Sequence, residues 1–172
     1  MKISSPALLM LAAFSTGFAP SMSLFARGGT CPRDPDIKSH PKLFGKARLR
    51  FKKENGEKTP DFRVETATSP EARTHGLMYR KKMGSLEGMI FDFHSSQPLS
   101  FWMHNTCLPL DMIFIGENRK VAGVVTAPPL NDEPRSVPGD HRWVVELNAG
   151  AAKKYGITEG AELLLNLPLA SP

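Results

Sequence analysis

The chain has 172 residues, a net charge of +5 and 41% hydrophobic residues. That suffices for one domain with a sizeable core and is too short for two comfortable ones. The basic residues are scattered. The densest groups, Lys52-Lys53 and Arg80-Lys81-Lys82, are short and lack interleaved aromatics, so they read as solvated faces and no nucleic-acid partner is expected.

In chain order, the first element is an export signal. Lys2 precedes the apolar run Pro6-Ala7-Leu8-Leu9-Met10-Leu11-Ala12-Ala13-Phe14, and small, turn-forming residues follow, with Ser21-Met22-Ser23 as a small-x-small site. This is the pattern of a secretory signal peptide, with approximate bounds 1–26, against a retained anchor helix or a misplaced start. The run falls short of the roughly 20 apolar residues a membrane span needs. A mature chain without a transmembrane helix, periplasmic or extracellular and monomeric, is the expectation. Residues 27–46, rich in Gly, Pro and charge, read as a flexible tether. Cys31 lies within it. Two cysteines in an exported chain suggest one disulfide, Cys31 with Cys107. A lipid-modified Cys31 and two unpaired thiols stay open beside it, since Gly28-Gly29-Thr30 is a poor lipobox and spacing alone does not bring Cys31 to Cys107.

From Ala47 the pattern becomes regular. Ala47, Leu49 and Phe51 alternate with Arg48, Arg50 and Lys52, as in a half-buried strand. Asn55-Gly56 is a turn signal, and Phe62, Val64 and Thr66 alternate again. Ser69-Pro70-Glu71-Ala72 marks a helix start, with a Ser cap and Pro at the first helical position, and Gly76 ends it. Strand Met89–Phe93 puts Met89, Phe91 and Phe93 on one face. The block Phe101–Ile115 then sets Trp, His, Asn, Thr and Asp among large apolar residues. It is expected as a strand through Trp102, a bend near Pro109 and a second strand Met112–Ile115. A strand at Lys120–Thr126 follows, then a Pro-rich loop over Ala127–Gly139, a strand at Trp143–Leu147, a short helix at Ala149–Tyr155 and a last strand at Leu163–Leu167. The fold class is mainly β: a single-domain sandwich- or barrel-like sheet of about seven short strands with two short helices at the rim.

Several pieces resemble the DUF192 family, a group of small bacterial and archaeal proteins of unknown function. They are Glu71-Ala72-Arg73 with His75-Gly76-Leu77-Met78-Tyr79-Arg80, then Gly88-Met89-Ile90-Phe91, and Phe101-Trp102-Met103-His104-Asn105-Thr106 with Pro109-Leu110-Asp111-Met112. Val145-Glu146-Leu147-Asn148-Ala149-Gly150, Gly156-Ile157 and Gly160 resemble its ending, so the likeness runs from about Leu49 to Leu165 within a domain of residues 47–168. The resemblance implies a mainly β fold, often exported or tethered, without a known activity. His104 stands where the family commonly has Lys, which removes a fixed cation at neutral pH.

Asp111 lies among Leu110, Met112 and Ile113, so an ionised carboxylate there needs a partner. One reading is a structural ion pair with Arg73 or Arg80; the other is a general acid or base, or a ligand anchor. Glu146, between Val145 and Leu147, has the same character, and an Asp111/Glu146 acid–base pair would require the two to face each other. Trp102, His104, Asn105 and Asp111 form the candidate ligand-binding set. Trp102 offers a stacking surface, against a packed core position, and Asn105 and Thr106 suit a turn that caps its own backbone. His40, His75, His94, His104 and His141 show no metal-ligand spacing, and no phosphate loop or dinucleotide fingerprint occurs, so no metal or cofactor is expected. Cys107 as nucleophile lacks an evident activating group. The leading expectation is a non-catalytic small-ligand or glycan binding or accessory module of the cell envelope, its partner a small molecule or envelope component. The alternatives are a hydrolase or lyase using Asp111 and Glu146, and a purely structural accessory domain.

Overall fold

A computed structural model describes residues 30–35 and 44–166. The signal-peptide reading of residues 1–26 lies outside them. Seven strands form one sheet among these residues: β1 (Gly45–Lys52), β2 (Phe62–Ala67), β3 (Glu87–Gln97), β4 (Leu110–Ile115), β5 (Val121–Ala127), β6 (His141–Asn148) and β7 (Glu162–Asn166). Two short helices accompany them, α1 (Pro70–His75) and α2 (Ala151–Tyr155). The mainly β reading with two small helices holds.

Alternation decides β1 and β2. Leu49, Phe51, Phe62 and Val64 are buried while Arg48, Lys52 and Arg63 face water. The chain turns at Asn55-Gly56, where the Asn55 carboxamide oxygen accepts from the Glu57 amide at 3.0 Å and Gly56 takes a φ of 85°. α1 forms where its cap signals stand: the Ser69 hydroxyl accepts from the Ala72 amide at 3.2 Å, and Pro70 opens the helix. Gly76 ends it at a φ of 51°, with the Phe91 ring 3.3 Å from where a Cβ would sit. α1 is the crossover that lets β2 and β3 run parallel; every other neighbouring pair is antiparallel.

The strand order is β5-β4-β6-β3-β2-β1-β7. Twist curls this sheet until its edges meet at one end. There the Val121 amide donates to the Ala161 carbonyl at 2.8 Å and the Leu163 amide to the Arg119 carbonyl at 2.8 Å. The result is a half-barrel whose two edges partly satisfy one another. Inside the curl Leu49, Phe51, Phe62, Ile113, Val145 and Leu163 pack with α2. On the outer face Met89, Phe91, Met112, Phe114 and Val144 pack under Leu77, Leu99 and Met103. Both faces of β4 are therefore covered, which explains why all six of its residues are buried.

The expected strand through Trp102 does not form. Phe101 makes a single bridge with Arg135, and residues 102–109 are a loop over the outer face. Polar side chains in that block interrupt a ladder because the loop uses them. Its backbone is held by Met103 donating to the Asn131 carbonyl and Tyr79 to the Asn105 carbonyl, both at 2.8 Å. A disulfide joins Cys107 of this loop to Cys31. Of the three states left open for the cysteines, the structure therefore holds the disulfide, and it pins Thr30–Pro35 of the tether segment to the domain.

Candidate functional site

The two candidate carboxylates sit on adjacent strands and opposite faces. In the β4–β6 register Asp111 pairs with Leu147, and Glu146 pairs with Met112. Side chains opposite each other share a face, so Asp111 goes inward with Leu147 and Glu146 outward with Met112. An Asp111/Glu146 acid–base pair is thereby excluded; the sheet stands between them.

Asp111 is fully partnered. One carboxylate oxygen accepts the Thr126 hydroxyl at 2.7 Å, and the other accepts the Ala152 amide at 2.9 Å. Gly150, the residue before α2, has no side chain to cap it. Asp111 supplies from another strand what a Ser or Asp at the cap would supply locally. The expected ion pair does not form. Arg73 donates instead to the Thr68 and Asp92 carbonyls and lies 4.9 Å over the Phe93 ring. Arg80 pairs with Glu65.

Glu146 has the opposite circumstances. Met89 of β3 and Met112 of β4 flank it, both fully buried. No hydrogen-bond donor or cation among the described residues reaches its carboxyl. Burial without compensation disfavours the ionised form and pushes the carboxyl up to about 8 from a usual 4.5. At neutral pH it is mostly a neutral acid.

That carboxyl lines a cleft of about 320 Å³ between α1, the outer face of β3 and the loop at 100–106. Phe91, Phe93 and Phe101 form its walls, with Phe101 edge-on to both others at centroid distances of 5.0 and 6.1 Å. Trp102 stands at the rim, the one large hydrophobic side chain described as exposed, at 52%. Its placement corrects the packed-core alternative. Arg73, His75 and Thr106 add polar groups to the lining.

The other expected ligand contacts do different work. The His104 ring lies tilted against Trp102 at 5.4 Å and its Nδ1 lies 2.9 Å from Asp132, tying the loop to the segment after β5. The Asn105 amide donates to the Tyr79 hydroxyl at 2.9 Å, and both residues take positive φ, 52° and 64°. Asn tolerates that conformation, and here it locks the turn after α1 onto the loop. Of the predicted set, Trp102 reaches the cleft, His104 and Asn105 brace it, and Asp111 is on the far face. The aromatic walls were missed as a site. Their signal was the alternation of Phe91 and Phe93, which reads equally as core.

A larger hollow of about 590 Å³ lies between β1, β2 and the segment 80–83. Its two carboxylates, Glu65 and Glu87, are each paired with an arginine, Arg80 and Arg63. It holds no buried unpartnered group, so size alone does not make it the better site. Among the described residues no group of three His, Cys, Asp or Glu side chains is placed to hold a metal, and no helix is long and apolar enough to cross a membrane.

The family model DUF192, described as Uncharacterized ACR, matches residues 51–165. The chain is also similar to a crystal structure of a Sinorhizobium meliloti 1021 protein named as a candidate transcription regulator. The identity is 36% and the TM-score 0.69, over 71% of this chain and 95% of that one. A protein of unknown function from Novosphingobium aromaticivorans DSM 12444 is 33% identical with a TM-score of 0.65, over 69% and 84% of the two chains. No curated protein matches.

Proposed function

The chain belongs to the DUF192 family, and on that premise we propose that it is an exported, non-catalytic small-ligand-binding module of the cell envelope whose ligand enters the cleft beside Trp102. The observation that carries this reading is Glu146: a carboxyl only 4% exposed that makes no hydrogen bond or ion pair among the described residues and opens onto an aromatic-walled cleft. Folds seldom leave a buried polar group unpartnered unless something else completes it. An exposed Trp beside such a group supplies flat apolar area at little entropic cost, which suits a sugar ring or another small molecule. Export draws support from the Cys31–Cys107 disulfide, because such bonds persist in oxidising compartments. A hydrolase or lyase built on the two carboxylates is not carried forward, since the sheet separates them.

A test is an NMR titration of the isotopically labelled protein with a library of monosaccharides and small polar fragments. Binders should move the Trp102 indole resonance and the backbone around the cleft. Trp102→Ala should weaken them at least about tenfold, in line with the loss of an aromatic anchor, while leaving the melting temperature nearly unchanged. Perturbations confined to the hollow beside β1 and β2, or none anywhere, would rule the cleft out. Recovery of the chain from cytosol with residues 1–26 intact would remove the export half of the proposal.

A further inference from the structure

The cleft constrains the charge of what it takes. Glu146 is its one acidic lining residue among those described. The charged or titratable groups that α1 brings to the same cleft are Arg73 and His75. Arg73 is engaged by the Thr68 and Asp92 carbonyls and by the Phe93 ring, and it forms no ion pair with Glu146. The His75 ring lies against Phe44 and Tyr79, at 5.9 and 5.8 Å. From β3 and β4 the neighbours of the carboxyl are Met89 and Met112, which carry no charge. The fold therefore leaves neutralisation of this carboxyl to a proton or to a ligand.

The walls favour a cation. Phe91, Phe93, Phe101 and Trp102 all line one small space, and aromatic rings attract positive charge most where water is excluded. One wall already does so, with the Arg73 guanidinium 4.9 Å from the Phe93 centroid. A carboxyl at the floor and aromatic rings around it is the composition of a site that strips water from an ammonium group and replaces it with a counter-charge and π-faces.

We propose that the ligand of this cleft is a small aliphatic amine, or a molecule with such an end, whose protonated nitrogen enters against Glu146 between the aromatic walls. This rests on the cleft reading above and assigns the chemistry of the ligand's buried end. The exchange balances: the neutral acid gives its proton to the buffer as the ammonium arrives, so Glu146 and its partner together carry no net charge before or after.

The probe is n-butylammonium, followed by the Trp102 indole resonance and by calorimetry in two buffers of different ionisation enthalpy. The amine stays protonated below about pH 10. With Glu146 near 8, affinity should rise about 20-fold from pH 6.5 to 8.5, with close to one proton released per amine bound at the lower pH. Glu146→Gln, checked for folding by its melting curve, should lose the pH dependence and at least about tenfold in affinity at pH 8.5. n-Butanol, of the same length without the charge, should bind more weakly at that pH. Amine binding that is independent of pH and survives Glu146→Gln would overturn the proposal. So would n-butanol or a neutral monosaccharide occupying the cleft while the amine does not, an outcome that leaves the cleft reading standing. If no probe moves a cleft resonance at either pH, both fall.

Discussion

Asp111 and Glu146 are carboxylates set between large apolar side chains on neighbouring strands, and burial does not distinguish them: they are 1% and 4% exposed. What differs is the face. The inner face meets the uncapped start of α2 and the Thr126 hydroxyl, so Asp111 arrives where two donors wait. The outer face meets Met89, Met112 and a cleft, so Glu146 arrives where none does. A shift of one residue in the β4–β6 register would set Asp111 opposite Glu146 on one face, where the two carboxyls would meet. An acid in an apolar strand is thus not one kind of feature. Its role follows from whether the fold brings donors to it, and that is decided by elements remote in sequence, 41 residues away for the Ala152 amide.

The largest expected effect breaks the satisfied member of the pair. Asp111→Ala removes two charge-assisted hydrogen bonds and orphans the Ala152 amide, a loss of about 4 kcal/mol. In a domain of this size that lowers the melting temperature by roughly 10 °C. A change within about 2 °C would mean that Asp111 does not hold α2. The second prediction acts on Glu146 with the opposite sign. Its carboxyl titrates near 8 when folded and near 4.5 when unfolded. Between those values the unfolded chain gives up its proton first, so stability is highest below 4.5 and is lost as pH rises toward 8. By pH 7 this amounts to about 3 kcal/mol. Glu146→Gln, which cannot ionise, should be more stable than the parent at pH 8 and no more stable at pH 4. Chemical denaturation at the two pH values measures it; parallel pH profiles for parent and variant would show that Glu146 is already compensated in the fold.

Much of the frame was legible beforehand. Alternation located β1, β2 and the outward set Met89, Phe91 and Phe93, and the Ser69-Pro70 start with Gly76 at the end bounded α1. Resemblance supplied the family, whose model matches residues 51–165. The site was legible only in part. Asp111 was singled out correctly as a buried acid in need of a partner, yet the partner is a backbone amide, and amides carry no signature in the sequence. Arg73 and Arg80 were plausible partners by charge, but the fold spends them on Asp92, Thr68 and Glu65. The expected strand through Trp102 follows from apolar Phe101 and Trp102, yet only a single bridge forms there. The polar residues that follow are the better guide, since His104 and Asn105 reach Asp132 and Tyr79 to fix a loop. The cleft itself is assembled from α1, β3, β6 and that loop, and no local window contains it.

The smallest prediction sharpens the comparison most, because it asks whether the two donors to Asp111 act as one unit. Thr126 is exposed on β5, so water can reach the oxygen that its hydroxyl leaves. Thr126→Val should therefore cost only about 1 kcal/mol, the net value of one hydrogen bond with solvent available as a substitute. In an Asp111→Ala background the same change should cost close to nothing, since the acceptor is gone and Val suits an exposed strand position as well as Thr. The difference between the two backgrounds is the coupling energy of the pair. Equal costs in both would place the Thr126 hydroxyl outside the Asp111 network. Asp111 would then stand on the Ala152 amide alone, one donor away from the condition of Glu146.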